Sequence, residues 1–94
     1  MEIKQKESGS KGSFHIGEEK EPLAEMTYSK AGDSLIIIDH TEVSDALRGK
    51  SAGKQLVAKA VEYARANNIK IIPLCPFAKS VFDKVTEYHD VLSK

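Results

Sequence analysis

Ninety-four residues fit one domain, and a chain of this length buries only about two thirds of the surface that its unfolded form exposes. Apolar residues make up 40% of the chain and charged residues 30%, a balance that excludes the disordered and membrane-embedded classes. Fourteen basic side chains offset fourteen acidic ones, so no net field draws nucleic acid or anionic lipid.

Residues 1–13 are polar and rich in glycine and serine, with Ile3 and Phe14 as the main apolar anchors, and read as a partly frayed, partly flexible strand. The charged start MEIKQKESGSKG holds no apolar run, and Leu35 to Ile38 is far shorter than a membrane span. A single cysteine excludes an internal disulfide framework. These features predict a cytoplasmic protein with neither a membrane nor a nucleic-acid partner.

Leu23 to Tyr28 is β-prone and ends at the turn signal Lys30-Ala31-Gly32-Asp33, after which Leu35 to Asp39 is a strong β run. A hairpin is the natural reading. Beyond His40 the period changes: Leu56, Val57, Ala60, Val61 and Ala64 recur at helical spacing, predicting an amphipathic helix over about Gly53 to Asn67. Asn67 and Asn68 suit a left-handed helix end, Lys70 to Leu74 reads as a short buried strand, and Pro76 opens a last helix to about Val85. Tyr88 to Leu92 forms a final turn. The strand-loop-helix-strand unit calls for a parallel pair with a right-handed crossover, which puts the loop at the first strand's carboxyl end.

That loop, Leu47-Arg48-Gly49-Lys50-Ser51-Ala52-Gly53-Lys54, combines small residues with basic ones at a helix start, where unpaired N–H groups and the helix dipole favour an anion. It is neither a Walker loop nor a dinucleotide fingerprint, which leaves ATP and NAD poorly supported. Read from its residues alone, it is either a phosphate site or a plain connection. Cys75 stands directly before Pro76, at the N-cap of the last helix, where the helix's positive end favours thiolate over thiol. A small buried hydrophobe at a strand end is the alternative. His40 ends the β run at the sheet edge that Cys75 shares, so it either pairs with the thiol or caps the strand. His15 and His89 have no partner at metal-ligand spacing, and no metal site is expected.

The order Arg48, Ser51, Gly53 resembles the pyrophosphate loop of Gcn5-related acetyltransferases, which reads Arg or Gln, two free positions, Gly, one free position, then Gly or Ala. Ser51 departs from it by replacing the middle glycine. His40-Thr41-Glu42-Val43, Arg48 to Gly53 and Cys75-Pro76-Phe77, in that order, are similar to the three-part signature of a family of very short Gcn5-related acetyltransferase-like (GNAT-like) proteins, over roughly residues 14 to 92.

The resemblance implies an α/β (α+β) fold: a truncated GNAT-like domain over residues 1–94, with a small, mostly antiparallel mixed sheet, one main amphipathic helix and a shorter C-terminal helix. It further implies acetyl-CoA as co-substrate, held by Thr41, Glu42 and Val43 along the pantetheine arm, by Arg48, Gly49, Lys50, Ser51, Ala52, Gly53 and Lys54 at the pyrophosphate, and by Pro76 and Phe77 near the thioester. Cys75 and His40 are then the catalytic candidates. Acetyl transfer runs either through a Cys75 thioester or by direct attack of an amine that His40 or Glu42 deprotonates. The acceptor is an amine of unknown kind, on a small molecule or a protein, and the chain is a monomer or weak dimer. A CoA-binding module without turnover and an interaction protein using an exposed strand edge are the competing readings.

Overall fold

The computed structural model describes residues 2–93. Strands β1 (Lys4–Ser8), β2 (Lys11–Gly17), β3 (Pro22–Lys30), β4 (Leu35–Val43) and β5 (Lys70–Pro73) form one sheet in the order of the chain. The first four pair antiparallel, while β5 runs parallel to β4. Parallel pairing needs a crossover, and helix α1 (Ala52–Asn67) supplies it. Helix α2 (Pro76–Lys84) and a 3-10 turn (Thr86–Val91) close the chain, and Leu92 bridges back to Ile71. The mixed sheet, main helix and shorter second helix agree with the expected architecture.

The segment read as a partly frayed strand holds β1 and the start of β2, joined as a hairpin. β1 pairs with β2 from Lys4 opposite His15 to Ser8 opposite Lys11, and Gly9, at φ 61°, makes the turn. All five β1 side chains are exposed, so no apolar alternation marks the strand in the sequence. Its anchors are polar. Tyr28 donates a hydrogen bond to Glu7 Oε2 at 2.7 Å and accepts one from Gln5 Nε2 at 2.8 Å, and Lys30 Nζ reaches Glu7 Oε1 at 3.2 Å.

The Tyr28 hydroxyl, helped by Lys30 and opposed by partial burial, holds the Glu7 carboxyl below the usual carboxylate range. A depressed acid stabilises the fold above its unfolded pKa, and that contribution is lost as pH falls through the folded value. Wild type is therefore expected to melt above Glu7→Gln at pH 7, with the gap closing below about pH 4. Thermal melts across that range measure it, and a gap that does not narrow contradicts the assignment.

One face of the sheet packs on α1 and α2. Phe14, Met26, Tyr28, Ile36, Ile38 and Ile71 meet Leu56, Val57, Val61 and Phe82, each at most 1% exposed. Burying side chains of this size stabilises the fold by about 2 kcal/mol apiece. The buried face of α1 is the one read from its periodicity, and Asn68, at φ 55°, ends the helix with its amide bonded to Ala64 O.

A bulge in β4 decides what this sheet end presents. Tyr28 pairs with Ile38 but Thr27 pairs with His40, which leaves Asp39 as an extra residue. Strict alternation from Ile36 and Ile38 would carry His40 onto the helix face. The extra residue transfers that face to Thr41 and Val43, opposite Met26 and Ala24, and turns His40 and Glu42 to the other side. β5 follows β4 only as far as Ile38, whose carbonyl accepts from both the Leu74 and Cys75 amides at 3.1 Å. β5 ends there, at Pro73, and β4 runs on to Val43 without a partner on that side.

Candidate functional site

A cleft of 420 Å³ opens beyond the end of β5, between the last residues of β4, the loop into α1 and the start of α2. Thr41 and Val43 form its strand wall, Arg48, Gly49 and Ser51 to Lys54 form its loop wall, and Leu47 and Phe77 close it. Its loop is built locally. Ser44 Oγ accepts from the Ala46 amide at 3.2 Å to start a short 3-10 turn (Asp45–Leu47), Gly49 turns at φ 81°, and Lys50 N bonds Leu47 O at 3.1 Å. The Ser51 hydroxyl makes no capping bond to α1, so the first-turn amides are left to the cleft. With Arg48 and Lys54 beside them, they form a positive wall suited to phosphate. Arg48 is itself tethered, its guanidinium donating to Asp45 Oδ1 at 3.0 Å in an exposed pair that a stronger anion would displace.

Ser51 sits at φ 56°, ψ 33°, in the left-handed region that glycine tolerates and other residues resist. The departure from the loop pattern therefore falls where it costs backbone strain. Ser51→Gly is expected to raise stability by about 0.5 kcal/mol, strain relief exceeding the extra chain entropy of glycine. Chemical denaturation reads this; a less stable glycine variant would show the serine conformation to be relaxed. Gly53 answers to a different constraint, since a Cβ there would lie 2.6 Å from the Phe77 ring, so the glycine lets α1 meet α2 as well as bordering the cleft.

Of the residues singled out in the sequence, Thr41, Val43, Arg48, Gly49, Ser51, Ala52, Gly53, Lys54 and Phe77 line this one cleft. Lys50, Glu42, Pro76 and the two catalytic candidates, Cys75 and His40, do not. Lys50 instead gives its carbonyl to the Gln55 side chain at 3.0 Å, and Pro76 occupies the first turn of α2. Leu47, which the sequence marks only as the first residue of the loop, also lines the cleft and is 7% exposed; an isolated leucine in a polar loop is its sole signal.

Cys75 N-caps α2, as its place before Pro76 indicated, and is 5% exposed. Its thiol donates to Thr41 Oγ1 at 3.4 Å. Burial pushes the thiol up, but the Thr41 hydroxyl and the amides of Ala78, Phe77 and Thr41 outweigh it and bring Cys75 below the ordinary thiol value. No helix amide closes a full hydrogen bond to Sγ, so Thr41 is its defined partner.

Of the two readings of His40, pairing with Cys75 is not found. His40 Nε2 lies 2.8 Å from Glu42 Oε1 on the opposite sheet face, where the bulge at Asp39 has turned both residues. Their side chains are 63% and 77% exposed, leaving this pair open to solvent. Among the described residues no three His, Cys, Asp or Glu side chains converge as metal ligands, and no helix is long and apolar enough to cross a membrane.

The family model described as GCN5-related N-acetyl-transferase matches residues 13–91. The chain belongs to this family. Its members use acetyl-CoA. A GCN5-like protein from Staphylococcus aureus, solved in solution by NMR, is 46% identical, with a TM-score of 0.76 over 98% of this chain and 87% of that one. The fold alone extends to a ribosomal-protein-alanine N-acetyltransferase from Brucella melitensis biovar Abortus 2308, 13% identical with a TM-score of 0.65 over 83% of this chain and 62% of that one. It extends likewise to the aminoglycoside N-acetyltransferase AAC(6')-Iy in complex with CoA, 10% identical with a TM-score of 0.60 over 88% of each chain. No curated protein matches the chain.

Proposed function

We propose that this GNAT-family chain binds acetyl-CoA in the cleft beside β4 and passes the acetyl group through Cys75 to an amine. One observation supports the reading: Thr41 both lines the cleft and bonds Cys75 Sγ, so the candidate nucleophile lies one hydrogen bond from the cleft wall. The pyrophosphate lies against the first-turn amides of α1 with Arg48 and Lys54, and the pantetheine arm follows the unpaired side of β4 past Thr41 and Val43 toward α2.

The Cys75 thiolate attacks the thioester carbonyl carbon. Its S–C bond forms as the bond to CoA breaks, and CoA leaves as a thiolate that takes a proton from water. An amine then attacks the acetyl-cysteine, giving up a proton to water as Cys75 departs as thiolate. The site needs no general base beside the thiol if Cys75 enters the step ionised, in keeping with its lowered pKa. A second reading is direct attack on the bound thioester by an amine approaching from the opposite face, with the His40–Glu42 pair as base; the 2.8 Å contact between them favours it.

Calorimetry with CoA tests the shared premise. Saturable binding is expected, and Arg48→Glu with Lys54→Glu should weaken it by about a hundredfold, near 1.4 kcal/mol for each lost charge contact. No heat from millimolar CoA, or equal affinity in the double variant, refutes the cleft assignment.

A further inference from the structure

A cysteine nucleophile needs a neighbour that sets its orientation and favours its charged form, and the usual neighbour is a histidine. Here His40, on β4, faces away and is bonded to Glu42. The remaining charged groups around Cys75 are also engaged or distant from Sγ. Arg48 and Lys54 stand on the loop side of the cleft, Arg48 on Asp45, and Lys79 of α2 donates to Asp83 at 3.3 Å. Among the described residues Thr41 is the one side chain hydrogen-bonded to the sulfur.

We propose that Thr41, itself in the cleft wall, is the positioning residue for Cys75, its hydroxyl orienting Sγ behind that wall and donating to the thiolate. Three features of the fold support this. The bulge at Asp39 puts Thr41 on the cleft face, where regular alternation would have put His40. The Leu74 and Cys75 amides share the Ile38 carbonyl, which fixes the Cys75 backbone beside β4. Threonine is β-branched with restricted χ1, so its hydroxyl is held in place, and a hydroxyl both accepts from S–H and donates to S⁻ as the proton leaves. The inference deepens the acyl-transfer reading and rests on it for its purpose, but its geometry stands without any ligand.

The experiment is the pH dependence of Cys75 alkylation by iodoacetamide in the full chain without CoA, the modified site being read by peptide mass. Thr41→Val keeps the shape and removes the hydroxyl. Its alkylation midpoint should rise by about one pH unit, making it about tenfold slower at pH 7 while the plateau at high pH stays at the wild-type rate. Thr41→Ser should restore the wild-type midpoint. A uniform change at every pH in Thr41→Val signals altered access alone and overturns the proposal, as does a valine profile superimposed on wild type or a serine variant that behaves as valine. Because no CoA is present, failure of CoA binding would leave this result standing, and failure here would leave CoA binding untouched.

Discussion

Wild-type protein incubated with acetyl-CoA is expected to gain the mass of one acetyl group, and Cys75→Ser is expected to gain none. Serine replaces sulfur with oxygen at a site only 5% exposed, so packing changes little and the bond to Thr41 Oγ1 is available to the new hydroxyl. What disappears is the anion. The Thr41 hydroxyl and the neighbouring amides that lower the Cys75 thiol favour its thiolate, whereas an alcohol at the same helix start stays protonated, and the attacking species is lost rather than weakened. Intact mass reads the adduct, and peptide mass places it. An acetyl group on Cys75→Ser at the wild-type level would locate the modification elsewhere. Its absence from wild type that binds acetyl-CoA would leave the direct route from the His40–Glu42 face.

Tyr28→Ala is expected to remove about 4 kcal/mol of stability, a large part of what a small domain has. The side chain has no exposed surface, lies 5.4 Å from the Phe14 ring and 6.2 Å from the Tyr63 ring, and stacks over Gly12, where a Cβ would fall 2.3 Å from Tyr28 Cζ. Truncation opens a cavity under α1 and strips β1 of its two hydrogen bonds to the hydroxyl. Tyr28→Phe separates the causes: keeping the ring and losing the hydroxyl should cost about 1 kcal/mol. Urea denaturation of the three proteins gives both values. An alanine variant within about 1 kcal/mol of wild type would mean that the ring contributes little to holding the sheet on α1.

The elements that bury an apolar stripe were legible. Leu56, Val57, Ala60, Val61 and Ala64 announce α1, the turn at Lys30 to Asp33 separates β3 from β4, and Pro76 fixes the start of α2 and with it the N-cap position of Cys75. The pairing of β1 was illegible because it rests on backbone bonds and on Glu7 and Gln5, which carry no periodicity. The facing of His40 was illegible for another reason. One extra residue at Asp39 inverts the side of everything after it, and that bulge shows only in the pairing of β3 with β4. The same inversion brings Thr41 to Cys75, so the threonine that sequence reading assigned to the pantetheine backbone is also the side-chain partner of the thiol. At Ser51 the mismatch with the family loop pattern was visible, and the left-handed backbone there identifies its cost as strain.

On the proposed reading one cleft, running from the α1 start past β4 to the α2 start, holds CoA. Amide NMR shifts followed through a CoA titration test it most directly. The account predicts that the saturating changes concentrate at Thr41, Val43, Gly49 to Lys54 and Phe77, with Thr27 and His15 on the far sheet face unmoved. Shifts centred on that far face, or none at millimolar CoA, would contradict it.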